Sequence, residues 1–248
     1  MPEVRCSQCP LRRLPLFIPN TADEIALVQS LKRCELNVGP GELLIQEGQT
    51  EASLFTLLSG WAYRFKTLSD GRRQILNFLL PGDFIGVQQK MVAVAAHGVM
   101  SLTSALLCVF WRDALWELHR QSPTMGFNVT WLSAREESLV DEGLLSVGRR
   151  SAEGRISALL IMLFHRAAGR QADGGAAGVP FPLTQQHIAD ALGLSLVHTN
   201  KTLRKLERRG LYRIEEGRLH ILKAATLTSL ADIYAPVNNK SASSRPLV

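Results

Sequence analysis

No uninterrupted apolar run in the chain approaches the roughly 18 residues that a membrane-spanning helix needs, and the first residues hold no apolar signal-peptide core. A cytoplasmic location without a membrane partner is therefore expected. Cysteine is scarce: Cys6, Cys9, Cys34 and Cys108 are too few for a disulfide scaffold in 248 residues. Histidine is sparse as well, and His97, His119, His165, His187, His198 and His220 show no metal-ligand spacing. A hydrophobic fraction of 46% excludes a disordered chain.

The net charge of +6 is mild, but its distribution is uneven. Between Thr184 and Lys223, Lys201, Arg204, Lys205, Arg208, Arg209, Arg213, Arg218 and Lys223 face only Asp190, Glu207, Glu215 and Glu216, so this stretch supplies +4 of the +6. A polyanionic partner for that segment is the reading it invites.

From Gly39 to Trp111 the pattern is of short strands between glycine turns. Gly41 and Gly48 bracket Glu42–Glu47, Asp70-Gly71 separates Trp61–Leu68 from Arg73–Leu80 as a hairpin turn, and Pro81-Gly82-Asp83 makes a second turn. With Leu54–Leu58 and Leu102–Trp111 this predicts a double-sheet roll, with helices only after Trp111. Ser122-Pro123 then starts a long helix carrying two apolar stripes, Met125, Val129 and Leu132 on one and Phe127, Trp131 and Ala134 on the next. One stripe suits the roll and the other suits the same helix of a second subunit, or else a partner within the subunit. Ser151 opens a further helix with Ile156, Leu159, Leu160 and Leu163 on its apolar side, and Ala168–Pro180 reads as a loop or short β-turn region.

The segment after Leu183 carries the function. Thr184 caps one short helix that Gly193 ends, and Ser195 caps a second that Gly210 ends. Ile188, Ala189, Leu192, Leu194, Thr199, Leu203 and Leu206 fall where a helix-turn-helix packs, and Leu211–Ile214 and Arg218–Leu222 flank Glu215-Glu216-Gly217 as a wing. Candidate DNA-contacting residues are Thr184, Gln185, Ser195, Leu196, Val197, His198, Asn200, Lys201 and Arg204, since the free face of the second helix is the one that enters a major groove. A helical hairpin with a basic solvated face is the structural alternative.

The chain resembles the Crp/Fnr family of bacterial transcription regulators, and within it the Fnr/FixK-like branch. The resemblance rests on Leu54–Gly60 as a Leu-x-x-Leu-x-Ser-Gly strand, on Asp70-Gly71-Arg72-Arg73-Gln74, on Pro81-Gly82-Asp83-Phe84-Ile85-Gly86, and on the helix-turn-helix. It implies an α+β fold: an N-terminal β-roll of the cyclic-nucleotide-binding jelly-roll type, a long dimerisation helix and a C-terminal winged helix-turn-helix. The expected divisions are an arm over 1–19, the roll over 20–121, the dimerisation helix over 122–148, the DNA-binding domain over 149–225, and a C-terminal helix and tail over 226–248. It further implies a homodimeric activator on palindromic promoter DNA, with RNA polymerase as a partner and no enzymatic activity. Where the family reads a base pair through a glutamate this chain has Val197, and where it has a guanine-reading arginine this chain has Lys201, so a different operator is expected.

Cyclic nucleotides fit the residues poorly. Val87 stands where cyclic-nucleotide receptors place a ribose-binding glutamate, and no arginine occurs between Gln74 and Trp111 to hold a cyclic phosphate. Oxygen sensors of the Fnr type hold a [4Fe–4S] cluster on four cysteines; Cys6, Cys9 and Cys108 match three positions, the remaining one is Pro15, and Cys34 is the one substitute. The resemblance thus offers either an iron–sulfur cofactor with redox or oxygen response, or no cofactor and a constitutive, effector-independent regulator. A cupin-like enzyme on the same roll would need several metal-binding histidines, and His97 is the single one among the strands from Gly39 to Trp111.

Overall fold

A computed structural model of the chain describes residues 4–13, 19–50, 53–87, 94–111 and 113–233. The chain divides into two compact units, one comprising Met1–Lys66 and Phe78–Ser138, the other Thr67–Asn77 and Leu139–Ser244.

Residues 32–110 form a roll of two four-stranded sheets. One has the order β1 (Lys32–Val38), β8 (Ala105–Phe110), β3 (Leu54–Ser59), β6 (Phe84–Ile85); the other runs β2 (Leu43–Ile45), β7 (Gly98–Ser101), β4 (Ala62–Thr67), β5 (Arg73–Leu79). Where a register is defined the pairs are antiparallel, and they join strands distant in sequence, as in a roll. The inward positions of both sheets, including Ile45, Leu57, Leu79, Val99 and Leu107, close one apolar core. The expected turns form at Gly41, Gly48, Gly71 and Gly82, all at positive φ. At Gly86, with φ 95°, a Cβ would come within 2.5 Å of the Ser53 carbonyl oxygen, so only glycine fits there.

One helix corrects the expectation that helices begin after Trp111. Helix α1, Ala22–Leu31, precedes the first strand. Its start is a capping box, in which the Thr21 hydroxyl accepts from Glu24 N and the Glu24 carboxylate accepts from Thr21 N, so the signal was present in local side-chain chemistry. Strand β1 likewise lies before Gly39. Helix α2, Ala114–Gln121, joins Leu54, Met125 and Val129 in a second apolar cluster, against which Leu27, Val28 and Leu31 of α1 pack. Helix α3 runs from Pro123 to Arg149. Its Met125, Val129 and Leu132 are buried, whereas Phe127 is 55% exposed, Trp131 half-buried and Ala134 exposed.

In the second unit α4, Ala152–Ala168, is capped by Ser151 and buries Ile156, Leu159, Leu160 and Leu163. Two short helices follow, α5 (Gln185–Leu192) and α6 (Leu196–Arg208), then the hairpin β10 (Tyr212–Glu215) and β11 (Arg218–Ile221), and α7 (Ala224–Leu230). The end of the expected loop instead adds a third strand, β9 (Val179–Pro180), which pairs with β11. The C-terminal tail beyond residue 233 lies outside the described residues.

Candidate functional site

The helix pair is built by its caps. Thr184 Oγ1 accepts from His187 N at 3.2 Å while His187 Nδ1 accepts from Thr184 N at 3.1 Å, a capping box with histidine in the glutamate position. Burial, and then the charge of Arg73, lowers the pKa of His187. Gly193 ends α5 in the left-handed region at φ 61°, and Ser195 Oγ accepts from His198 N to start α6. The turn between them holds the helices at an angle that buries Ile188, Ala189 and Leu192 of α5 against Thr199, Leu203 and Leu206 of α6. Leu194 is half-buried.

The opposite face of α6 is open. Leu196, Val197, His198, Lys201 and Arg204 are exposed, Val197 at 80%. Val197, Asn200, Lys201 and Arg204 line one surface depression with Glu207 and Arg208. Asn200 is half-buried and its Oδ1 lacks a hydrogen-bond partner. Thr184 and Gln185 are exposed at the start of α5, and Ser195 is spent on its cap.

Not all of the positive charge serves this face. Glu153 of α4 receives Lys205 Nζ and, at 3.0 Å, Arg209 Nη1. Arg218 donates to the Ala177 and Gly178 carbonyls and to Gln171 Oε1, bracing the wing. The wing itself turns through Glu216 and Gly217, both at positive φ. The charge count of the sequence therefore overstates what is free, and Lys201, Arg204 and Arg208 remain exposed on α6.

Within the first unit a cavity of about 60 Å³ lies between the roll and the first half of α3. Phe84, Ile85, Val87, Val129 and Leu132 make its apolar wall, and Arg64, His97, Asp83, Ser133 and Glu136 its polar one. Arg64 comes from β4, outside the segment in which the sequence lacks arginine, and reasoning from the family pattern passed over it. Its Nη2 stands 3.0 Å from Glu136 Oε2, with only 10% of the Arg64 side chain and 19% of that of Glu136 exposed. Burial, together with the charges of Arg64 and Lys66, lowers the His97 pKa to about 4, so its ring is neutral at pH 7. Asp83 accepts from Leu80 N at 2.8 Å, which fixes the Pro81-Gly82-Asp83 turn beside the cavity.

The cysteines are partly gathered. Cys9 packs against the cluster of Leu11, Leu58 and Cys108, and both Cys6 and Cys9 bear electrostatically on the buried Cys108 thiol, whose pKa burial pushes up to about 12. Lys32, with its side chain buried, ties the arm down by donating to the Val4 carbonyl and to Glu35 Oε1. Cys34 does not join them. It is exposed and sits opposite Val109, one register step from the Glu35–Cys108 pair, which puts it on the other face of the sheet. Pro15 lies outside the described residues, and among those described no group of three or more His, Cys, Asp or Glu could hold a metal ion. The donors present do not fit a four-thiolate cluster.

A β-roll joined through a long helix to a capped helix-turn-helix with a wing defines a DNA-binding regulator with a sensor-type domain. Residues 35–122 match the cyclic nucleotide-binding domain family and residues 154–230 the Crp-like helix-turn-helix domain family. The chain is 34% identical over 194 residues to the transcriptional activatory protein AadR of Rhodopseudomonas palustris, covering 78% of this chain and 79% of that protein. It is 30% identical over 226 residues to the nitrogen fixation regulation protein FixK of Bradyrhizobium diazoefficiens, covering 91% and 93%. The structure of FixK2 from Bradyrhizobium japonicum shares the fold, with a TM-score of 0.71 and 23% identity over 82% of this chain and 99% of that one. The chain belongs to the Crp/Fnr family of transcription regulators, in its Fnr/FixK branch, and its helix-turn-helix is the DNA-binding element. Among the described residues no helix is long and apolar enough to cross a membrane.

Proposed function

We propose that the chain activates transcription as a homodimer that places α6 of each subunit in successive major grooves of a two-fold-symmetric promoter site. The observation that carries this reading is the division of α6 into a fully buried face and an exposed one, with Val197, Lys201 and Arg204 together on the exposed side. Lysine donates to guanine acceptors, valine offers apolar contact to a thymine methyl, and Arg204 and Arg208 suit phosphates. The dimer is supported by the second stripe of α3, where Phe127 and Leu145 are about half exposed in a subunit that buries the neighbouring stripe. RNA polymerase is then the protein partner.

The effector on this reading is not a cyclic nucleotide. Arg64, outside the Gln74–Trp111 segment, places a guanidinium at the cavity. The cavity of about 60 Å³ nevertheless falls well below the roughly 300 Å³ at which drug-sized pockets begin, which leaves no room for a nucleotide.

Light scattering and mobility-shift measurements on DNA selected from random sequence test the proposal. A dimer binding one two-fold site is expected, with half-sites about 34 Å apart. Phe127→Glu with Leu145→Glu should yield a monomer with much weaker DNA binding; a monomer with full operator affinity would overturn the dimer reading.

A further inference from the structure

Arg64 presents an unused recognition edge inside the roll. The residue is nine-tenths buried, and neither its Nε nor its Nη2 has a hydrogen-bond partner. Glu136 stands 3.0 Å from Nη2 but out of line with its N–H bonds, so it balances the charge without satisfying the donors. Nε and Nη2 share one side of the guanidinium plane, where two near-parallel N–H bonds match the two oxygens of a carboxylate. Buried donors left unmade are costly, and a ligand that satisfies them recovers that cost.

The remainder of the cavity selects among anions. Ile85, Val87, Val129 and Leu132 offer apolar surface, and a volume of about 60 Å³ holds roughly four to six water-sized groups. On the polar wall Asp83 is engaged with Leu80 N, and Glu136 is the charge with which a ligand competes for Arg64. We propose that this cavity binds a short-chain monocarboxylate, its carboxylate on the Nε/Nη2 edge of Arg64 and its alkyl body against Ile85, Val87, Val129 and Leu132. The inference rests on reading the roll as the sensor of a DNA-binding regulator and names the class of its effector. Because Glu136 belongs to α3, a carboxylate that takes Arg64 changes what fastens that helix to the roll.

Calorimetric titration of the full chain with butyrate tests the site without DNA, so its failure is separate from any failure of the DNA-binding reading. One saturable site per chain is expected. Butyramide, which keeps the shape and loses the charge, should bind at least tenfold more weakly, and inorganic phosphate should give no saturable heat. Glu136→Gln removes the competing charge and should tighten butyrate binding about tenfold. The pair Arg64→Gln with Glu136→Gln conserves net charge, and should abolish binding while the thermal transition shows a folded protein. Absence of saturable butyrate heat in both the parent and Glu136→Gln, equal binding of phosphate, or unaltered binding by the folded double variant would each overturn the proposal. In parallel mobility shifts, saturating butyrate should change operator affinity at least threefold; an unchanged affinity overturns the effector role.

Discussion

Arg64 of β4 and Glu136 of α3 meet at 3.0 Å between the roll and the helix packed on it, both largely buried. Removing one member of such a pair leaves an uncompensated charge, and replacing both by apolar groups of similar volume does not. Glu136→Leu should therefore cost about 3 kcal/mol of stability. The double change Arg64→Met with Glu136→Leu should recover most of that loss. Urea unfolding of the parent, both single variants and the double variant gives the coupling; additive losses would show that the two residues act independently.

His97 gives the roll an acid-sensitive term. Its folded pKa is about 4 against the ordinary 6.5, so between those values an unfolded chain takes up a proton that the folded one refuses. The associated stability is fully present above pH 6.5 and is lost as the pH falls toward 4. Its ceiling is about 3 kcal/mol. Denaturant midpoints for the parent and for His97→Gln, measured from pH 7 to pH 4, should converge as the pH falls; parallel curves would show that His97 does not titrate in this way.

The sequence was legible where local chemistry and tertiary need agree. Thr184, Gly193 and Ser195 punctuate the helix pair with caps that work at short range, and each does in the fold what its residue type allows. The glycine turns of the roll were readable for the same reason, since a positive φ is a local demand. Helix α1 has a weak apolar periodicity, and Thr21 and Glu24, which carry its start, are the local signal for it. Arg64 and Glu136 could not be paired from the sequence, because they lie on distant elements and nothing local to either points to the other. The same holds for Glu153, whose pairing with Lys205 and Arg209 removes two cations from the apparent DNA-binding face.

That last pairing separates the basic residues of α6 into two groups with different expected effects. Lys201 is exposed on the open face, and Lys201→Ala should cost about 1–3 kcal/mol on the selected operator and relax preference at one base pair. Lys205→Ala, which frees Glu153 instead, should weaken binding by under about 1 kcal/mol with no change in sequence preference. Val197→Glu should shift the base preferred at its position, because an acceptor replaces a methyl contact. Fluorescence anisotropy on the selected site and its single-base variants measures all three. A loss for Lys205→Ala equal to that for Lys201→Ala would contradict this division.

The cysteines supply the last test. A cubane cluster draws on four thiolates, and Cys6, Cys9 and Cys108 gather three sulfurs while Cys34 belongs to the opposite face of β1. Ionising Cys108 works against burial that pushes its pKa up to about 12, a cost that metal bonds would have to offset. The arm is held by other means: Lys32 donates to the Val4 carbonyl, Glu35 accepts from Val4 N, and Leu11 fills the cluster around Leu58. The three buried or half-buried cysteines are therefore expected to act as small apolar side chains. Protein purified without oxygen should carry less than one iron per chain. Cys6→Ser, Cys9→Ser and Cys34→Ser should bind operator DNA as the parent does, with and without oxygen. Cys108→Ser, which buries a hydroxyl in an apolar cluster, should lose about 1–3 kcal/mol of stability without altering any response to oxygen. Iron near four per chain that disappears in Cys6→Ser, Cys9→Ser and Cys108→Ser would reverse this conclusion and require a fourth ligand from outside the described residues.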